Sequence, residues 1–552
     1  MQNVLCLTGG PNHPFDRCTP IIKGFLEATG LFRVELTEDQ NRLRSLGKWD
    51  AVIVYAERYD KLTPKQEQAL CEYVRGGGAL VAIHAASACW MQNEAWMELL
   101  GSQFTTHGHM ADFTVKTTAE AAAITPRLRP EMVVFDEFYI LRWRTKAKRT
   151  VVQTGSWEHQ EYPLSYVRRY GKGRVFYTAL GHDERAVGHP DFAPLVTKGL
   201  LWATGHGDGK PIRFACVGYG PYFGMGRHHA STWRETPGLE FVGVCDQNPA
   251  RVQAAVEEMG ECATFTDVED LIASGIADAA AVLTPHCAHE PLVVRLLEAG
   301  LHVLVEKPMA VTVEECDRMI AAAERSGRTL AVYHNRHWDP DIVTLKRIVD
   351  AGLIGEVHSI ECNMLGYGRP AQWWRSNKAI SGGVIYDMGA HQLEKIMQLV
   401  SRNGSAGPHV PVRALAFGNA HKRVWWDVTN EDYVRAYLRF DHGLEAQLVQ
   451  SDLAAARKDF WTIQGTRGGV VVPDWGQPAI VTSPFHNTTV KAEYPQAGSD
   501  QGPSYYTNLA DHLHLGLPLI IPPRWARNPI AAIRACEASA REGRAVEVTF
   551  DL

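Results

Sequence analysis

Lys307 stands between Glu306 and Pro308, directly after the apolar run His302–Val305. A short apolar run that ends in charge reads as a buried strand reaching a crevice. In a doubly wound sheet, the carboxyl ends of the strands line the ligand crevice. A lysine there can pass a proton to or from an alcohol oxygen as hydride leaves its carbon; it can equally be a surface charge. Asp387 and His391 are four residues apart, a spacing that places both on one face of a helix. The carboxylate could fix the tautomer of an imidazole that handles a hydroxyl proton. The pair could also be a structural hydrogen bond.

A glycine-rich turn, Gly218-Tyr-Gly220-Pro-Tyr-Phe-Gly224-Met-Gly226, follows the strand-like run Ile212–Val217. Gly218 and Gly220 fit the first two positions of a dinucleotide turn, where backbone approaches a pyrophosphate resting on a helix N-terminus. The third position is irregular, because the loop is longer than the standard form. Asp246 ends the next strand, Glu240–Cys245, and could accept both ribose hydroxyls. The same charge would repel a 2′-phosphate, which favours NAD over NADP. Alternatively, Asp246 caps the helix starting near Pro249. Thr284-Pro285-His286 ends a further strand. The expected cofactor-contacting set is Gly218, Gly220, Gly224, Asp246, Thr284, Pro285, His286, Glu306, Lys307 and Pro308.

A third group lies ahead of these. His13, His84, His107, His109, Asp136, Glu137, Tyr139 and His182 each fall at or near the end of a strand-like run. If their loops converge, they could act as acid and base or bind a divalent metal. His13, His84, His107 and His182 are the metal candidates; His84, His107, Glu137 and His182 are the catalytic ones. No compact motif such as HExxH is present.

These groups need elements to hold them. Residues 1–205 alternate strand-like runs (Val4–Leu7, Ala51–Val54, Leu80–Ile83, Val175–Tyr177) with helical ones such as Pro64–Arg75. That alternation predicts a parallel sheet covered on both faces. A Gly-rich linker at 206–211 separates this domain from a second α/β domain, 212–335. From 336 to 552 the texture becomes an α+β domain with a large, mostly antiparallel sheet, closed by helices at Asn508–Gly516 and Pro529–Ala540. The 552 residues far exceed the ~250–300 at which one core stops growing.

A net charge of −6 gives no footprint for nucleic acid or an acidic membrane surface. No apolar run reaches the ~18 residues of a membrane span. The N-terminus enters a strand at once and shows no signal-peptide pattern. Eleven cysteines without CxxC pairs suggest a reducing compartment. The expectation is a cytoplasmic enzyme.

Residues 212–552 resemble the Gfo/Idh/MocA oxidoreductases, through the glycine turn, Glu306-Lys307-Pro308 and the block Gly382-Gly383…Asp387-x-Gly-x-His391. The resemblance implies a catalytic proton-transfer Lys307, completed by Asp387 and His391. It also implies a nicotinamide pocket shaped by Glu306 and Pro308, often with a cis proline. Glu394 stands where the family usually has Asp. Residues 1–205 resemble the ThuA-like (trehalose-utilisation) family, which has a class I glutamine-amidotransferase-like fold. The resemblance rests on Ile83-His84, Asp136-Glu137-x-Tyr139 and Tyr177-Thr-Ala-Leu-Gly-His182. An amidotransferase would carry cysteine at the strand-to-helix elbow; here His84 stands there, with Cys89 further on, which argues against glutamine hydrolysis.

Together the resemblances imply NAD-dependent oxidation of a sugar or glycoside hydroxyl, at C3 of a hexoside, with the first half processing the keto product. Two other readings stay open: a redox-neutral glycosidase that recycles its NAD, and a dehydrogenase carrying a non-catalytic sugar-binding or assembly module. Trp373 and Trp374 could stack on a sugar ring or simply pack. Family members commonly form homo-oligomers through the C-terminal sheet.

Overall fold

Runs that are apolar at every position have no face to offer water, so both sides must be covered. Ala51–Ala56 and Ala79–Ile83 are buried along their whole length for this reason. The computed structural model describes residues 1–123, 127–206, 209–221, 223–402, 411–486, 488–497 and 501–552. Residues 207 and 208 of the expected linker fall outside these. The described chain divides into two units. One comprises 1–211 with 236–238 and 507–520; the other comprises 212–235, 239–506 and 521–552. Residues 507–520, read from sequence with the C-terminal domain, thus group with the first unit.

The first unit is built on a nine-stranded sheet. Its strands run in the order Phe32–Thr37, Gln2–Gly9, Ala51–Ala56, Ala79–Ile83, Gly173–Thr178, Gln160–Tyr170, Arg149–Trp157, Ala111–Thr117 and Glu131–Asp136. The first five run parallel, as expected from the alternating pattern. The other four join antiparallel, against that expectation. A hairpin whose two turn residues, Glu158 and His159, both have positive φ reverses the chain. Such turns normally carry Asn or Gly, so this one left no signal in the sequence. Helix Pro64–Arg75 starts where expected, because Thr63 and Gln66 form a reciprocal cap around Pro64.

The second unit opens with six parallel strands: Ala263–Phe265, Leu239–Cys245, Ile212–Val217, Ala279–Val282, His302–Glu306 and Leu330–Tyr333. The order reverses beside Ile212–Val217, which creates the crevice at the strands' carboxyl ends. A second sheet of nine strands follows, antiparallel except where Val357–Leu365 runs parallel to Glu445–Ser451. Tyr433–Phe440 alternates buried and more exposed side chains, as a sheet covered on one face requires. The long helix against this sheet is Pro523–Glu542, six residues longer at its start than the sequence suggests. Pro523 sets its first turn, and Pro529, expected to begin the helix, lies inside it. No helix among the described residues is long and apolar enough to cross a membrane. All eleven cysteines are free thiols.

Candidate functional sites

The glycine turn ends the central strand of the parallel sheet. Gly218 has φ +97°, and a Cβ there would stand 3.1 Å from the backbone carbon of Leu283. Among the described residues, and leaving out its two chain neighbours, no atom lies within 4 Å of where a Cβ at Gly220 would be. The chain's own packing therefore does not demand glycine at 220, whereas close approach of a ligand to backbone would. Gly224, at φ +59°, leads into helix Met225–Glu235. The tight helix–turn contact belongs instead to Gly226, whose Cβ would stand 2.3 Å from the Tyr219 ring. Asp246 Oδ2 accepts the Tyr219 N–H at 2.7 Å and Oδ1 accepts the Asn248 N–H at 2.9 Å. The helix cap considered for Asp246 is made by Asn248, whose side chain accepts from Ala250. Asp246 is thereby held beside the turn. The buried Thr284 Oγ1 and His286 Nε2 have no hydrogen-bond partner among the described residues. His286 is oriented by Nδ1, which donates to Ser381 O at 2.8 Å. Pro285 opens the short turn that carries it. An open backbone cradle at a helix N-terminus, a carboxylate beside it and unpaired polar groups deeper in are what a dinucleotide would satisfy, so the residues fit NAD.

Lys307 lies nine-tenths buried at the end of His302–Glu306, and its peptide bond to Pro308 is cis. Its Nζ donates to Asp387 Oδ1 at 2.6 Å and to Asp387 O at 3.2 Å. Arg375 Nη1 donates to the same Oδ1 at 2.8 Å. Burial alone would raise the Asp387 carboxyl, but Lys307 and Arg375 outweigh it and hold it well below the usual carboxylate range. The expected Asp387–His391 pair does not form. Asp387 sits in the wide π-helical turn Ile385–Gly389, and this i→i+5 winding breaks the stacking of residues four apart. His391 is buried with Nδ1 unpaired, edge-on to His334 at 5.7 Å between ring centres. Both nitrogens of His334 are also unpaired. Burial pushes His334 down to about 4 and His391 well below its ordinary value, so both rings are neutral near pH 7. Each unpaired buried polar atom costs ~1–3 kcal/mol, and several in one crevice mark a place for a polar ligand.

Glu306 turns from this centre toward helix Met225–Glu235. Its Oε1 lies 3.0 Å from His229 Nε2, and Oε2 accepts the Lys307 N–H at 3.1 Å. Glu394 faces the wall: its Oε1 lies 2.7 Å from His337 Nδ1 and accepts from Trp525 Nε1 at 2.8 Å. Trp373 and Trp374 pack around the Arg375 guanidinium, at 5.2 and 5.0 Å. Phe223, from the long glycine loop, joins them at 4.9 Å. Arg375 and His334 are the site residues that sequence reasoning missed. His334 directly follows the strand Leu330–Tyr333, so the strand-end rule could have found it; Arg375 lies in the short 3-10 turn Trp374–Ser376, away from any strand end, and left no such signal.

In the first unit, loops bring His13, His84, Glu137 and His182 together, with one candidate ligand atom of each within 4.8 Å of the others. Glu137 Oε2 lies 3.0 Å from His182 Nδ1 and 3.7 Å from His84 Nε2. His107 stays outside this cluster. Its half-exposed ring approaches the other carboxylate oxygen, Oε1, at 3.6 Å. His109 packs on Trp157. Asp136 is a buried clamp that accepts from the backbone N–H of Gly181, His182 and Glu137 at 2.7, 3.0 and 2.8 Å. Glu57, which follows Ala51–Ala56, faces His13 Nδ1 at 3.1 Å and was not picked out from sequence. Cys89 is fully buried, and burial pushes its thiol well up, so it cannot serve as a thiolate nucleophile.

A mixed-sheet α/β unit followed by a dinucleotide fold and an antiparallel sheet defines a two-part oxidoreductase. Residues 3–203 match the trehalose utilisation (ThuA) family. Residues 212–334 match the Gfo/Idh/MocA oxidoreductase family with its NAD-binding Rossmann fold, and 342–471 match that family's C-terminal domain. The chain belongs to the Gfo/Idh/MocA oxidoreductases and carries a ThuA domain ahead of the oxidoreductase part. It is 30% identical over 262 residues to the uncharacterized oxidoreductase YdgJ of Escherichia coli, covering 47% of this chain and 70% of that protein. It is 30% identical over 193 residues to the D-glucoside 3-dehydrogenase of the same organism, covering 35% of this chain and just over half, 54%, of the relative's length. An NAD-binding protein from Listeria innocua superposes with a TM-score of 0.54 at 26% identity, covering 61% of this chain and 97% of the other.

Proposed function

We propose that the second unit oxidises a ring hydroxyl of a sugar or glycoside with NAD, at C3 of a hexoside. The first unit then acts on the keto product. The observation that carries the redox reading is the buried Lys307 Nζ, held at 2.6 Å by Asp387 beside the unpaired rings of His334 and His391. Bound NAD would supply the hydride acceptor. Lys307, as the neutral amine, takes the hydroxyl proton at Nζ and becomes the ammonium that Asp387 holds, while the neutral His391 hydrogen-bonds the substrate oxygen. Gly218 and Gly220 admit the pyrophosphate, and Asp246 accepts from the ribose hydroxyls. Position C3 is supported by the name of the glucoside dehydrogenase relative.

A C3 ketone acidifies the hydrogen at C2. A base in the first unit, Glu137 or a neighbouring histidine, would take that proton. The C1–O bond then breaks, and the aglycone leaves as an alcohol once protonated by His107. The test is incubation of the full chain with NAD and a panel of glycosides, with NADH and keto products measured together. Absence of both with every glycoside would overturn the reading. The redox-neutral alternative is favoured by the Phe223–Arg375 contact, which ties the long phosphate loop to the wall of the site and would retain the cofactor. Aglycone release without net NADH would select it.

Asp246→Asn should move the cofactor preference from NAD toward NADP by about 10–100-fold in the ratio of kcat/KM, the worth of a charged hydrogen bond of ~1.5–3 kcal/mol. An unchanged ratio would remove Asp246 from the ribose site.

A further inference from the structure

The first-unit cluster gathers four side chains that can each offer a lone pair to one centre, with the Tyr139 hydroxyl 3.4 Å from His13 Nε2 at its edge. His84 Nδ1 lies 2.5 Å from Ala179 O, a carbonyl that can only accept, so the proton sits on Nδ1 and Nε2 presents a lone pair. His13 Nδ1 faces the carboxylate of Glu57 at 3.1 Å, which fixes the same tautomer. The Nε2 atoms of both rings, the carboxylate of Glu137 and Nδ1 of His182 then converge. His84 Nε2 has no hydrogen-bond partner among the described residues, and Glu137 Oε2 lies 3.0 Å from His182 Nδ1, a contact that a proton on Nδ1 bridges in the metal-free chain. A divalent cation at the centre would replace that proton and take a lone pair from all four side chains at once.

We propose that His13, His84, Glu137 and His182 hold one divalent transition-metal ion of the zinc class. Three imidazoles and one carboxylate are donors for zinc and its neighbours, whereas magnesium and calcium take oxygen. Ligand atoms ~2.0–2.2 Å from zinc stand roughly 3.4 Å apart in a tetrahedron. The observed spread, within 4.8 Å, closes to that with small side-chain shifts. The outer partners also suit a metal. Glu57 behind His13 and a carbonyl behind His84 orient the ligands. Asp136 pins the backbone of both Glu137 and His182. His84 itself sits at φ +47°, a left-handed conformation that is costly for a histidine and frequent at functional sites. Glu137 Oε1 turns toward the half-exposed His107, which marks the open side. From there the carbonyl oxygen of a 2-hydroxyketone could reach the ion and be polarised. That use rests on the keto-sugar reading above; the metal site does not.

The test is metal content of the full chain, stripped with chelator and dialysed against zinc, manganese or magnesium chloride. The expected result is about one zinc per chain and no retained magnesium. Glu57→Gln should weaken zinc binding about 10–100-fold, as loss of an outer carboxylate does. Glu137→Gln and His13→Gln should lose the ion, while His107→Ala keeps it. Cobalt in place of zinc should give visible absorption bands that the same two variants abolish, and circular dichroism checks that they fold. Wild-type zinc below about a tenth of an equivalent, or equal zinc in folded Glu137→Gln and His13→Gln chains, would overturn the site. Because the readout is bound metal, an inert keto-sugar assay leaves this result standing, and the reverse holds as well.

Discussion

Lys307→Met should lower kcat/KM for sugar-dependent NAD reduction by about 10²–10⁴-fold, the usual worth of a positioned acid–base group, while NAD still binds. Methionine matches the stem of lysine but carries no proton. The substitution leaves Asp387 paired, because Arg375 Nη1 already donates to the same oxygen at 2.8 Å. The carboxylate is therefore not stranded, and the fold should hold with little change in Tm. Loss of rate with retained NAD affinity, read by quenching of the protein's tryptophan fluorescence, separates a chemical role from a binding one. A fall of less than tenfold would mean that Lys307 does not carry the proton.

Lys395→Met should cost the second unit about 3–5 kcal/mol, as breaking a buried ion pair does. Lys395 lies on helix Ala390–Arg402, fully buried, with Nζ at 2.7 Å from Asp339 and 2.8 Å from Asp341. Trp461 Nε1 donates to Asp341 at 2.9 Å, and Arg336 reaches Asp339 at 3.3 Å. Removing the shared ammonium leaves two buried carboxylates facing each other without the cation they share. At roughly 2–4 °C per kcal/mol for a unit of this size, Tm should fall by about 6–20 °C. Adding Asp339→Asn and Asp341→Asn should recover most of the loss, because the cost lies in the orphaned charges rather than in the missing lysine. A shift under about 3 °C in the single variant would contradict this account.

The fold class and much of the redox site could be read from the chain because they depend on local pattern. Lys307, Asp246 and His286 each directly follow or lie close to a buried apolar run, and the end of such a run is where a parallel sheet exposes its chemistry. What could not be read is convergence and unusual winding. The π-helical turn at Ile385–Gly389 carries no composition signal, so the spacing of Asp387 and His391 pointed to a pair that does not exist. Arg375 replaces His391 as a partner of Asp387 from the short 3-10 turn Trp374–Ser376, twelve residues upstream. In the first unit, His13, His84 and His182 were recognisable one at a time. Their assembly around Glu137, and the exclusion of His107, depend on strands far apart in sequence. Glu57 sits at a strand end and could have been found by the rule that found His84. A lone acid after a strand differs little from a surface charge until its partner is seen.

The left-handed backbone at His84 has a consequence for how this unit changes over time. A strained strand-to-helix turn is also the device that presents nucleophiles in other α/β enzymes. Here the turn mounts an imidazole, so the scaffold and the chemistry are separable. The backbone strain, ~1–3 kcal/mol, is tolerated only while the ring is useful. In gene copies released from selection on this site, position 84 would drift early toward glycine or asparagine, the residues that accept that backbone most readily. Glycine or asparagine at the elbow would keep the backbone and lose the ring, whereas another reactive side chain there would keep a site with different chemistry.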